Sequence, residues 1–327
     1  SKADVIAEFN TLKIDRCVNS STIRTGVGII ERTEKMAKTN SKGKGGRIGV
    51  SRRTFLTRST LVASGSAGSS LFPFTASAQS RRVDNIGLQL YTLRKELAED
   101  FDGTLARVAE LGFKEMEFAG YYGRSAAQIK TALETNGLVS PAAHIQWAAI
   151  RDNLQAEIDR AVGIGQRYIV IPYLQENERT LDHYKRLIDT LNSAGEACRD
   201  AGLKIAYHNH DFEFDTVDGV VPYDLLLTET DPDLVDMELD LFWIAYAGAD
   251  PYAYIKDHAG RFSMLHVKDL SADRKMTAVG EGTIDFEAIF AHADTGGFKH
   301  YFVEHDNPVD AFDSVTTSIA SVRGMRF

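Results

Sequence analysis

Residues 180–210 read "TLDHYKRLIDTLNSAGEACRDAGLKIAYHNH". The first two thirds carry apolar residues at helical spacing and end on a glycine, the pattern of an amphipathic helix with a C-terminal stop. The remainder, "KIAYHNH" (204–210), is a short apolar run of strand character. One helix followed by one buried strand is the unit from which parallel sheets are built. Side chains on a strand alternate between faces, so His208 and His210 are expected on the same face, with Asp211 and Glu213 close behind.

The unit recurs. Strand-like runs occur at "IGLQLYTL" (86–93), "EMEFAG" (115–120), "LVSPAAHI" (138–145), "YIVIPYL" (168–174), "LVDMELDLFW" (234–243), "SMLHVKDL" (263–270) and "HYFVEHD" (300–306), with amphipathic stretches such as "FDGTLARVAELGF" between them. Eight strands alternating with helices within residues 79–327 have the size and rhythm of a single (β/α)8 TIM barrel. An open doubly wound sheet would need a glycine-rich loop after its first strand, and "LQLYTLR" has none.

The first 78 residues are different in kind. Residues 51–57, "SRRTFLT", place Arg52 and Arg53 before a weakly apolar stretch, and "TASAQS" supplies small residues at Ala76, Ser77 and Ala78. Charged region, apolar region and small-residue cleavage site, in that order, predict an export signal over 51–78, and the arginine pair predicts the twin-arginine type and a periplasmic protein. The apolar stretch is too short and too rich in Gly and Ser for a stable membrane anchor. Residues 1–50 are basic, show no sustained periodicity and are expected to be an unstructured leader extension.

Of the 327 residues, 43% are hydrophobic, which suits a globular core. The two cysteines, Cys17 and Cys198, make no disulfide framework. Beyond residue 78 there are 24 basic and 41 acidic residues, a net charge of −17. Such a surface repels nucleic acid and anionic membranes and is compatible with neutral substrates and with cations.

A TIM barrel carries its chemistry at the C-terminal ends of its strands. Those ends hold Gln89 and Tyr91, Glu117, His144, His208 and His210, Asp240, His266 and Lys268, and Glu304. His208 or His210, Asp240, His266 and Glu304 come from four consecutive strands. Mixed imidazole and carboxylate donors suit one divalent ion, Mn2+ first, with Co2+, Fe2+, Ni2+, Mg2+ or Zn2+ as alternatives. Taken singly, each has a structural explanation: Asp240 as a helix cap, His266 as a core histidine, Glu304 paired with Lys268. Convergence of all four on one barrel mouth is what favours a metal. "VGEGTIDF" (279–286) reads as a loop and helix start capped by Asp285, with Glu281 a sugar-hydroxyl contact. Trp243 offers an aromatic face to the C–H face of a sugar.

The runs "YHNHDFEF", "LDLFW", "LHVKDL", "VGEGTIDF" and "FVEHD" resemble the sugar phosphate isomerase/epimerase group within the xylose isomerase-like barrel superfamily. The resemblance implies one divalent metal held by the last four strands, with Asp240, His266 and Glu304 as ligands. The group's fifth-strand ligand is a glutamate, and His208 stands in its place. Epimerases of the group use the fifth- and eighth-strand glutamates as a two-base proton relay, which His208 interrupts. His208 is the preferred ligand on this reading, and His210 then contacts substrate or transfers a proton.

A divalent ion beside these groups polarises a carbonyl or vicinal diol, and Glu304, His208, His210 or Lys268 can move the neighbouring proton. The expectation is a metal-dependent isomerase or epimerase acting on a sugar or keto-sugar. The alternative is a lyase or hydrolase of 3-keto-glycosides or a dehydratase of keto-cyclitols. A second alternative is a non-catalytic periplasmic sugar-binding barrel. Gln89, Tyr91, Glu117, His144, Trp243 and Glu281 are the expected substrate contacts. A DNA-repair endonuclease would need a basic groove, which the charge opposes. A homo-oligomer is compatible with the sequence.

Overall fold

Eight parallel strands close into a ring in the computed structural model, which describes residues 80–327. The leader (1–50), the arginine-pair segment (51–78) and Cys17 lie outside the described residues. The barrel strands are β1 (Ile86–Gln89), β2 (Glu115–Phe118), β3 (Val139–His144), β4 (Tyr168–Ile171), β5 (Lys204–His208), β6 (Val235–Asp240), β7 (Phe262–Val267) and β8 (His300–Val303). Each pairs with its sequence neighbours, and β8 closes against β1. A helix follows every strand and covers the ring from outside, so the expected (β/α)8 barrel is borne out. No described helix is long and apolar enough to cross a membrane.

Strand and helix ends follow local chemistry. The helix Leu181–Asp200 begins where Thr180 accepts a hydrogen bond from the His183 N–H, and it buries Tyr184, Leu187, Ile188, Leu191 and Cys198 against the sheet. Each such Leu or Ile contributes about 1.5–3 kcal/mol by leaving water. Gly195 lets this helix approach closely, since a Cβ there would come within 2.8 Å of Leu234 Cβ. Several strands end earlier than their apolar runs. At Gln89 the side chain accepts from the Tyr91 N–H and turns Leu90–Leu93 into a 3-10 helix. At Asp240 a carboxylate caps the helix Leu241–Ala247. Asp269–Leu270 leaves β7 and pairs antiparallel with Met276–Thr277.

Inside the ring, side chains stack in layers because alternate residues of each strand point inward. Ala142, Tyr168, Val170, Ala206, Met264 and Phe302 form an apolar plug. Two residues further along the same strands come His144, His208, His266 and Glu304. The plug thus turns into a polar layer toward the C-terminal mouth. A register shift between β6 and β7 places Asp240 beside His266, and His208 lies beside Glu238.

Candidate metal centre

The last inward residues of β5 to β7, with Glu304 just past β8, meet at the mouth. Asp240 and His266 are fully buried, His208 is 1% exposed and Glu304 4%. Asp240 is both cap and candidate ligand. Its Oδ1 accepts from the Trp243 N–H at 2.9 Å, which leaves Oδ2 pointing at the two imidazoles. The Asp240 N–H is held by Asn209 Oδ1 at 3.0 Å. Asp240 Oδ2 lies 3.7 Å from His208 Nε2 and 3.8 Å from His266 Nδ1. His266 Nδ1 is 2.7 Å from Glu304 Oε2. Ligands of a tetrahedral ion stand about 3.3–3.6 Å apart, close to the two separations from Asp240 and wider than the His266–Glu304 contact.

Three of these atoms, Asp240 Oδ2, His266 Nδ1 and Glu304 Oε2, are buried without a directed hydrogen bond and lie within 4.8 Å of one another. Within the cluster these atoms are served only by one another and by the Lys268 ammonium, so the buried carboxylates outnumber the cations that face them. The Lys268 ammonium sits 3.0 Å from Asp240 Oδ2, 2.8 Å from Glu304 Oε2 and 3.0 Å from Asp306 Oδ1. One ammonium faces three carboxylates, so this corner still favours a divalent ion. The residues present fit one.

Beneath lies a supporting layer. Glu238 Oε2 contacts three imidazoles: His144 Nε2 at 2.8 Å, His266 Nε2 at 3.1 Å and His208 Nδ1 at 3.2 Å. Glu117 Oε2 lies 2.7 Å from His266 Nε2 and accepts from Gln89 Nε2 at 2.8 Å. His266 and His208 therefore each spend one nitrogen on a carboxylate below and present the other to Asp240 above. This is the carboxylate–histidine support that fixes tautomer and aim in metal sites. His144, His208, Glu238 and His266 also have ligand spacing, but each of their nitrogens in this layer is already paired with a carboxylate.

The charges follow from burial and neighbours. Burial opposes a charge on His266, but Glu238 and Glu304 overcome it and hold the imidazole well above its usual range. Ligation through Nδ1 therefore displaces a proton. Burial, reinforced by His266, drives His208 down to about 3, so it is neutral. Burial raises Asp240 to about 6 despite Lys268. Glu304 and Glu238 are buried yet held well below the usual carboxylate range, the first by Lys268 and the second by His266. Burial and Glu238 raise Glu117.

The structure brings His208, Asp240, His266, Glu304 and Lys268 together, with Glu117 and His144 below them. His210 stands beside the ligand group, its ring centroid 5.0 Å from that of His208. β5 ends at His208, and the His210 ring packs on Tyr173, Phe212 and Trp243, with centroids 4.9, 5.7 and 5.2 Å away. Its Nδ1 and Trp243 Nε1 are buried without partners at the rim. Gln89 and Glu117 are fully buried; Gln89 Nε2 donates to Glu117 Oε2, which orients His266. Tyr91 packs under the Arg94 guanidinium, 4.0 Å from the ring centroid. Glu281 is exposed and accepts a hydrogen bond from Thr277 Oγ1 at 3.2 Å. The sequence reading missed Glu238, Asn209 and Asp306. Glu238 lay in plain view, two residues before Asp240 and therefore on the same strand face.

A family model described as "Xylose isomerase-like TIM barrel" matches residues 105–320. The chain belongs to that family. Its family relatives are enzymes, and it is one too. An inosose dehydratase of Clostridium beijerinckii is 26% identical over 253 residues, covering 62% of this chain and 80% of the relative. A crystal structure of a sugar phosphate isomerase/epimerase from Parabacteroides distasonis is 28% identical with a TM-score of 0.64, covering 75% of this chain and 94% of that one. The IolI protein, solved with a bound zinc atom, shares the fold at 17% identity and a TM-score of 0.60, over 72% of this chain and 96% of its own.

Proposed function

We propose that this family member removes the proton beside the carbonyl of a sugar or keto-cyclitol and expels the β-hydroxyl as water. The observation that carries the reading is the convergence of Asp240 Oδ2, His266 Nδ1 and Glu304 Oε2 within 4.8 Å of one another in the buried mouth, with His208 Nε2 3.7 Å from Asp240 Oδ2. A divalent ion held there by His208, Asp240, His266 and Glu304, with Mn2+ the first choice for this donor set, would polarise the carbonyl or an adjacent diol.

The chain's own groups do the rest. Glu304 is ionised at the mouth and accepts the proton. The Lys268 ammonium lies beside it and offsets the negative charge that develops on the substrate oxygen. The Trp243 ring and its free Nε1–H meet the C–H face and a hydroxyl.

Elimination is preferred to epimerisation because epimerisation needs a second base on the opposite face of the carbon. The position where epimerases of the group keep that base is His208, and both its nitrogens face carboxylates inside the barrel. The curated relatives named inosose dehydratase agree with elimination. Isomerisation or epimerisation is the second reading. It is favoured by the Parabacteroides relatives and by His210, whose free Nδ1 lies at the rim. The sugar-binding barrel without activity is set aside, since the chain is an enzyme.

The test is turnover of keto-cyclitols and keto-sugars in D2O by metal-loaded protein. Water or aglycone release with a new double bond supports elimination. Deuterium beside the carbonyl with all substituents retained supports the second reading, and neither outcome across the panel refutes both. We also propose export by the twin-arginine route, motivated by Arg52 and Arg53; normal periplasmic accumulation of the double lysine variant would refute it.

A further inference from the structure

Resting on the metal centre of that reading but not on the reaction assigned to it, we infer that Asp306 is a second seat for the Lys268 ammonium. The ammonium leaves Asp240 and Glu304 for Asp306 when the divalent ion binds, and Asp306 thereby sets the affinity of the centre. Asp306 is then a positioning residue that acts through Lys268.

The inference comes from the atoms that Lys268 uses. Its ammonium lies 3.0 Å from Asp240 Oδ2, 2.8 Å from Glu304 Oε2 and 3.0 Å from Asp306 Oδ1. The first two are the same oxygens that face His266 Nδ1. Asp240 cannot offer its other oxygen, because Oδ1 accepts from the Trp243 N–H and caps the helix Leu241–Ala247. Lysine and ion therefore compete for one pair of oxygens. Seated there together they would oppose like charges at contact range, where repulsion is strong even at a high effective dielectric constant. The charge count agrees. Three carboxylates against one ammonium leave two negative charges, which one divalent ion balances.

Asp306 is placed to receive the ammonium. Its side chain is 21% exposed, against 0% for Asp240 and 5% for Glu304, so it stands on the solvent side of the group. Its backbone is pinned from both sides. The N–H meets Met276 Sδ at 3.1 Å, and the carbonyl accepts from Arg94 at 2.7 Å. Among the described residues no other Lys or Arg forms an ion pair with its carboxylate. The lysine stem is flexible and its three N–H donors rotate, so a short swing completes the transfer.

The test is a double-mutant cycle read as the Mn2+ dissociation constant by titration calorimetry. Asp306→Asn removes the charge of the second seat and keeps its shape. It is expected to weaken Mn2+ binding about 10–100-fold, the scale of one charge-assisted hydrogen bond. Lys268→Met removes the competitor and is expected to bind Mn2+ more tightly than wild type. The decisive measurement is Asp306→Asn in the Lys268→Met background. With no ammonium to receive, it should leave the constant within about twofold of Lys268→Met alone, the scatter of non-interacting changes. An equal loss in both backgrounds means that Asp306 acts on the ion directly or through the fold, and overturns the inference. A wild-type constant for Asp306→Asn, or a Lys268→Met variant that binds no tighter than wild type, overturns it too. Lys268→Gln takes the place of a methionine variant that fails to fold. Wild type that binds no Mn2+ overturns the metal centre and the inference together, whereas wild type that binds Mn2+ with an additive cycle overturns the inference alone.

Discussion

Glu238→Gln changes one atom at the floor of the centre and leaves the side-chain shape intact. In the wild type, Glu238 Oε2 meets His144, His266 and His208 at 2.8, 3.1 and 3.2 Å, while Oε1 has no partner. The glutamine can keep its oxygen toward the imidazoles but brings no charge and buries an unpartnered amide. Loss of a carboxylate that backs two metal-ligating histidines lowers metal affinity about 10–100-fold, or about 1.4–2.8 kcal/mol. The buried charge balance suffers too. Breaking such a pair costs about 3–5 kcal/mol, and the isosteric change belongs at the lower end. At about 2–4 °C per kcal/mol for a domain of this size, the apo-protein Tm should fall by about 6–12 °C. Titration calorimetry with Mn2+ and thermal unfolding in chelator measure the two effects separately. A variant that binds metal as tightly as wild type and unfolds at the same temperature would refute the supporting role of this layer.

Further outcomes follow from the same geometry. Chelation should lower the Tm relative to protein held at 100 times the metal Kd, by the equivalent of about 2.7 kcal/mol; scanning calorimetry with and without chelator reads it. Asp240→Asn keeps an oxygen for the helix cap and removes the ligand charge, so it should lose metal and retain most stability. Asp240→Ala should lose metal and about 1 kcal/mol more through the lost cap, as seen in urea unfolding. Glu213, whose oxygens accept from Tyr207 O–H at 2.6 Å and the His210 N–H at 2.8 Å, is pushed by burial up to about 7. The folded state then holds more protons than the unfolded state between about 4.5 and 7, so stability falls as pH rises through that window, by about 3 kcal/mol. Glu213→Gln should remove this component, and an unchanged difference between urea midpoints at pH 5 and pH 7.5 would contradict it.

The barrel was legible because alternation of helix and strand periods survives in sequence, and "KIAYHNH" with the helix before it is a whole unit of the ring. Strand ends were less legible. "IGLQLYTL" looks continuous, but the Gln89 side chain captures the Tyr91 N–H and ends the strand, a bond that apolarity does not signal. Asp240, His266 and Glu304 were found because chemistry in this fold sits at strand ends. His208 was preferred over His210 on the family resemblance alone, because strand alternation puts both on one face; β5 stops at His208, which strand periodicity does not signal. Glu238 was missed because a carboxylate inside an apolar run reads as a flaw in the strand, although "DMELD" repeats acids at the two-residue spacing of one inward face. The glycines of "VGEGTIDF" serve Asp269, an acid ten or more residues away, and no local pattern reveals such a partner.

Crystals soaked with Mn2+ and measured at the manganese edge test the central claim most directly. The account predicts one anomalous peak bounded by Asp240 Oδ2, His266 Nδ1, Glu304 Oε2 and His208 Nε2, with the Lys268 ammonium turned toward Asp306. A peak instead among His144, Glu238 and the lower nitrogens of His208 and His266, or no peak at full soaking, would contradict it.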